Sequence, residues 1–277
     1  MRMTNAWAIL LLVAAIPAAA LNWNQGDPVA QTRAELSAVL APPVSVRPPS
    51  SGGTAAGNFD SYVFSVEWTK AFCEGKAGLP ECSALHPGDF AASNLALHGL
   101  WPDQNADTSH TYGYCGVDAA TRALDKGPTW CRMPDPGASS AVMSRLTPAM
   151  PGVASCLQNH EWYKHGSCSG YTPDEYFTRA TDLVLAVSKT AFGRFLAARV
   201  GQTVNAEEVL AAFESEFGAG SRNLVSLSCT KSGGADMLLD VRFHLTQPLR
   251  PASEFGKMLL PVGGKGNCPA SFKLDPL

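Results

Sequence analysis

Residues 160–168, HEWYKHGSC, set two histidines, a glutamate, a lysine and a cysteine into nine positions. Imidazole, with an ordinary pKa of about 6.5, can both take and give a proton near neutral pH. On a helix, His160 and Lys164 are four apart and share a face, and Glu161 and His165 share the neighbouring one. The segment therefore offers two polar stripes, one pairing a carboxylate with a histidine and one pairing a histidine with an ammonium. Gly166 ends or bends the helix. A zinc-binding helix needs its histidines at i and i+4. Here they stand at i and i+5, about 140° apart around a helix, and no metal is expected.

A second segment carries complementary chemistry. In LHGLWPD, residues 97–103, His98 lies among apolar neighbours at the end of an expected strand. Trp101-Pro102 offers a rigid aromatic plane on a turn, with Asp103 beside it to accept or donate a hydrogen bond. A histidine, a stacking surface and a carboxylate suit a site that holds a nucleobase and works on the adjacent phosphate.

Other elements must hold these two segments in place. In Tyr62–Trp68 alternate positions carry Tyr62, Phe64, Val66 and Trp68, which predicts a first strand with one apolar face. A second strand is expected over Asn94–Leu100. Thr172-Pro173-Asp174-Glu175 has the form of a helix start, with an N-cap, a proline at the first position and a glutamate at the third. A further helix is expected from Asn205 to about Gly218. Strands are expected again at Leu224–Cys229 and Met237–Leu245, the latter with Val241, Phe243 and Leu245 on one face. Strand, helices, then strands predicts an α+β fold with a mainly antiparallel central sheet flanked by helices.

The remaining sequence bounds the setting. The chain has 277 residues and a net charge of −3, so any nucleic acid must be handled by a local site, not by a blanket of lysines. Met1 and Arg2 precede an apolar run from Ala6 to Ile16, and Ala18–Ala20 supply small residues. This predicts a signal peptide over residues 1–20 and export to the periplasm or beyond, with no membrane attachment after cleavage. Residues 21–58 are expected to form a flexible leader, because 41–58 hold four prolines, three glycines and almost no large apolar side chains. One domain is expected over 59–277. The eight cysteines contain no CxxC pair, and behind a signal peptide they predict four disulfides. Sequence alone leaves many pairings open. Cys73–Cys82 would close a short loop, and Cys229–Cys268 would staple the C-terminal third. His86 and His110 are expected in polar loops. His244 is expected on the polar face of its strand, in a structural or solvated role.

LHGLWP and HEWYKHGSC, in this order and separation, resemble the two active-site segments of the ribonuclease T2 family. The resemblance runs from about Phe59 to the C-terminus, and the long helical region over 172–217 resembles bacterial, periplasmic members. It implies a secreted, disulfide-bonded, metal- and cofactor-independent endoribonuclease of α+β fold that acts on single-stranded RNA as a monomer. The products would be 2′,3′-cyclic phosphates, then 3′-phosphates. It further implies that His165 is the general base, His98 the general acid and His160 a phosphate ligand. Glu161 and Lys164 would stabilise the transition state, Trp101 would stack on the base 5′ to the cut, and Asp103 would bond that base. Stable DNA binding is not expected. The family's fold suggests Cys115–Cys168, which leaves Cys131–Cys156. The family often has a glutamine before the tryptophan of its first strand, where it helps to bind the second base, whereas this chain has Glu67. The alternative reading is an inactive member of the same fold that only binds RNA or phosphate.

Overall fold

The computed structural model describes residues 55–104, 112–264 and 266–276. The expected signal peptide, most of the leader and His110 lie outside the described residues. Seven strands form one sheet: β1 (Ser61–Glu67), β2 (Ala96–Asp103), β3 (Thr203–Asn205), β4 (Ser226–Ser232), β5 (Ala235–Thr246), β6 (Leu259–Leu260) and β7 (Ser271–Lys273). The main path runs β2-β1-β5-β7-β3, with β4 and β6 also paired to β5. Every strand pair is antiparallel except β5 with β7. The described helices are α1 (Thr69–Cys73), α2 (Pro80–Ser83), α3 (Ala119–Leu124), α4 (Ser140–Ala149), α5 (Leu157–Lys164), α6 (Pro173–Ser188), α7 (Ala191–Ala197) and α8 (Ala206–Phe217). The fold is α+β, as the order of elements predicts. No described helix is long and apolar enough to cross a membrane.

Alternation divides the sheet into a packed face and an open one. Tyr62, Phe64 and Val66 of β1 join Val241, Phe243 and Leu245 of β5 in the core, all almost fully buried. Phe64 stacks on Phe243 with ring centroids 6.0 Å apart. α6 and α8 cover this face with Phe177, Val184, Val209 and Phe213. The Tyr176 hydroxyl donates to the Leu100 carbonyl at 2.8 Å, tying α6 to β2. The other face of β1 and β5 carries Ser61, Val63, Ser65, Glu67, Asp240, Arg242 and His244.

Two expectations about strands need correction. Strand β2 does not end at Leu100: Trp101, Pro102 and Asp103 continue it and pair with Val63, Tyr62 and Ser61. Proline is tolerated there because β2 is an edge strand, where its missing N–H costs no ladder bond. Leu224 lies in a 3-10 turn, and β4 starts at Ser226. The helix start at Thr172 has the expected capping box, in which Thr172 and Glu175 satisfy each other's backbone N–H groups.

Four disulfides are formed: Cys73–Cys82, Cys115–Cys168, Cys131–Cys156 and Cys229–Cys268. Residues 55–58 are bonded to the domain. Gly57 N–H donates to the Cys168 carbonyl at 3.0 Å, and Asn58 N–H donates to the Tyr112 hydroxyl at 3.1 Å.

Candidate active site

The open face of the sheet and the C-terminal end of α5 enclose a cleft of about 770 Å³. Its lining includes His98, Trp101 and Asp103 from β2, His160, Lys164 and His165 from the α5 segment, and Arg242 and His244 from β5. Both predicted segments therefore open into one cleft. Glu161, fully buried, lies behind it.

Local backbone geometry brings the two histidines of the second segment together. α5 stops at Lys164, and His165 is its C-cap, with φ −118° and ψ −56°. The His165 N–H still donates to the Glu161 carbonyl at 3.1 Å, and with φ opened from the helical value its ring meets that of His160 edge to face, with centroids 5.9 Å apart. The Cys115–Cys168 disulfide anchors the chain just beyond.

Five rings then follow in series. His165 stacks on Trp101 with centroids 5.1 Å apart, and Trp101 meets His98 edge to face at 5.4 Å. On the far side His160 stacks on Trp130 at 4.9 Å. The Trp101 indole N–H donates to Glu161 Oε2 at 2.7 Å. Gly99 is required beneath this bond, since a Cβ there would stand 2.1 Å from both the indole nitrogen and Glu161 Oε2. Trp101 is thus more than a stacking surface: it holds the buried glutamate, and one of its faces is already covered by His165.

Glu161 Oε1 is buried without a hydrogen bond and lies 3.9 Å from both His98 Nε2 and His160 Nε2. Burial raises its pKa to about 7, against the pull of His160, Trp101 and Lys164. His165 is held well below the ordinary histidine range, by burial first and then by Lys164, His160 and His98. His98 is also held low, again by burial first; Asp240 opposes this, and His160, Arg242 and Lys164 add to it. A low pKa keeps His165 neutral, the form that accepts a proton.

His160 is fixed by residues that the sequence does not flag. Its Nδ1 lies 2.6 Å from Asp125 Oδ1. Asp125 also accepts from the Tyr114 hydroxyl at 2.7 Å and the Trp130 indole at 2.8 Å. Burial pushes the Asp125 carboxyl up, but the bonds from His160 and Tyr114 outweigh it and keep it ionised. No motif marks Asp125, because the contact joins residues 35 apart in sequence. Glu67 Oε2 lies 3.9 Å from His98 Nδ1. Burial, then Asp240 and Glu81, raises its pKa to about 8. Arg242 and His244 also face the cleft. Their signal was readable: D-V-R-F-H alternates polar and apolar residues, and its polar side is the open face of the sheet. His86 is exposed in a loop away from the cleft.

His160, Glu161 and His165 place one ligand atom each within 4.8 Å of the others, close enough to share a cation. The histidine spacing alone is therefore no bar to a metal here, contrary to the argument from a continuous helix. The donor set is partly committed, since Trp101 already occupies Glu161 Oε2.

A histidine-lined cleft on the open sheet face of a disulfide-bonded α+β fold suits acid–base chemistry. Comparison with known proteins makes this specific. The profile of the ribonuclease T2 family matches residues 59–254, and the chain belongs to that family. Ribonuclease I of Escherichia coli (strain K12) is 30% identical over 265 residues, 86% of this chain and 96% of that protein. Ribonuclease Rh of Rhizopus niveus is 29% identical over 168 residues, 55% of this chain and 66% of that one. Ribonuclease MC1 from bitter gourd seeds shares the fold, with a TM-score of 0.52 and 21% identity over 78% of this chain and 100% of that chain. The protein is an enzyme of the ribonuclease T2 type.

Proposed function

We propose that this enzyme cleaves single-stranded RNA by attack of the 2′-OH on the adjacent phosphate, without a metal. The observation that carries the reading is the convergence of His98 and His165 on Trp101 in one cleft. Neutral His165 takes the 2′-OH proton. The 2′-oxygen bonds to phosphorus as the bond to the 5′-oxygen breaks, and His98, which takes up its proton once the negative substrate phosphate lies beside it, protonates that oxygen. This leaves a 2′,3′-cyclic phosphate. Water then opens the ring with the two roles reversed, giving a 3′-phosphate. Each proton transfer contributes about 10²–10⁴-fold.

His160, oriented by Asp125, and Lys164 hold the phosphate and stabilise its developing charge. Glu161, protonated below about pH 7, contributes a hydrogen bond between His98 and His160. Trp101 and Asp103 bind the base 5′ to the cut, which enters on the face of Trp101 away from His165. Glu67, where the family often has glutamine, is buried and does not line the cleft; protonated, it offers a single O–H donor where the amide has two N–H donors. The signal at 1–20 exports the chain, as a monomer, to the periplasm or outside, where its disulfides persist.

RNA and an otherwise identical strand with a single 2′-deoxy residue at the cut separate this reading from a phosphodiesterase that uses water. Cleavage of the RNA alone is expected. Cleavage of both strands at comparable rates would overturn it.

A further inference from the structure

Beyond the catalytic cluster, the same cleft carries a cationic group that the proposed reaction does not use. Arg242 and His244 stand two residues apart on β5, so both project from the open face. Their register is fixed by β1, with Arg242 opposite Ser65 and His244 opposite Val63. On β1's other edge Ser65 and Val63 pair with Gly99 and Trp101. Two strand spacings, roughly 9.5 Å, thus separate this pair from the floor of the catalytic site, and both line the same cleft.

Arg242 is braced for binding. Its Nε donates to Asp240 Oδ2 at 2.7 Å, while Ser65 Oγ donates to Asp240 Oδ1 at 2.8 Å. Asp240 is buried, but about half of the Arg242 side chain stays exposed. The guanidinium lies 5.6 Å from the Trp101 ring centroid, at the outer edge of a cation–π contact. A planar guanidinium held by one nitrogen at a wet cleft wall suits a phosphate. Near the expected path of RNA, the available phosphates are those of its own backbone.

We propose that Arg242 and His244 form a second phosphate subsite, which holds a backbone phosphate flanking the scissile one. The inference rests on the proposed cleavage of RNA and adds to it a preference for polynucleotides over dinucleotides. Arg242 supplies the fixed charge and His244 a ring nitrogen beside it.

The test compares kcat/KM for a dinucleoside monophosphate, the same dinucleotide with an added 5′-phosphate or an added 3′-phosphate, and a short single-stranded oligomer. For the unmodified enzyme, one of the added phosphates should raise kcat/KM by about tenfold, the scale of one charge-assisted contact. The arm that gains tells on which side of the cut the subsite lies. Arg242→Gln should reduce the gain to within about twofold, and should lower the salt slope for the oligomer by about 0.7, the value for one phosphate contact on a single strand. Arg242→Lys should restore part of it, and His244→Gln should remove a smaller part. The ratio between substrates cancels any effect of the charge on His98 or on folding. The proposal is overturned if neither added phosphate helps, or if Arg242→Gln slows all four substrates equally. If the unmodified enzyme cuts none of them, the cleavage reading fails first, and the subsite falls with it.

Discussion

At the scale of single residues, the site depends on groups that touch no substrate. Gly99 leaves room for the hydrogen bond from Trp101 to Glu161. Gly99→Ala should push these side chains apart by an ångström or more. A displacement of that size should cost about 10²-fold in kcat/KM, with thermal stability much less affected. Unchanged kinetics would show that the indole–carboxylate bond does not position the site. Glu67 and Glu161 make the fold sensitive to pH in a definite direction. Their folded pKa values, about 8 and about 7, lie above the ordinary carboxylate value. The fold therefore favours their protonated forms, and that contribution is lost as pH rises through these values. Urea unfolding should show that Glu67→Gln recovers on the order of 2 kcal/mol relative to the unmodified protein between pH 5 and pH 8. Parallel curves for the two proteins would mean that Glu67 ionises freely.

At the scale of elements, two devices hold the α5 segment against the sheet. Its start is fixed by Cys131–Cys156, and its end by Cys115–Cys168, which closes a sequence separation of 53. Replacing Cys115 and Cys168 with alanine should cost roughly 4 kcal/mol of stability by the chain-entropy estimate for such a loop, measured by denaturant unfolding. A loss below about 1 kcal/mol would show that packing alone fixes the segment. Much of this level was legible in the sequence. Thr172-Pro173-Asp174-Glu175 specifies its helix start through local bonds, and the alternation in β1 and β5 identifies the core face. Trp101 to Asp103 reads as a turn, because Pro102 usually ends a strand; only the edge position of β2 permits it. Gly166 marks the end of α5, but the meeting of the His160 and His165 rings in one cleft needs the C-cap geometry. Asp125 could not be read at all, since its link to His160 is purely tertiary.

At the scale of the whole molecule, charge is concentrated where it acts. The chain is slightly acidic, with a net charge of −3, yet Lys164 and Arg242 both face the cleft. Long-range attraction to RNA is therefore weak, and binding depends on groups inside the cleft. In the proposed reaction two histidines alone move the protons, and cleavage of a short RNA in excess EDTA, with the unmodified enzyme beside His165→Ala, tests this. Mass spectrometry of the new ends reads the chemistry. The unmodified enzyme should leave 2′,3′-cyclic phosphate ends, and the variant should be slower by at least about 10²-fold. Loss of cleavage in EDTA, restored by a divalent cation, would contradict the proposed reaction and assign His160, Glu161 and His165 to a metal instead.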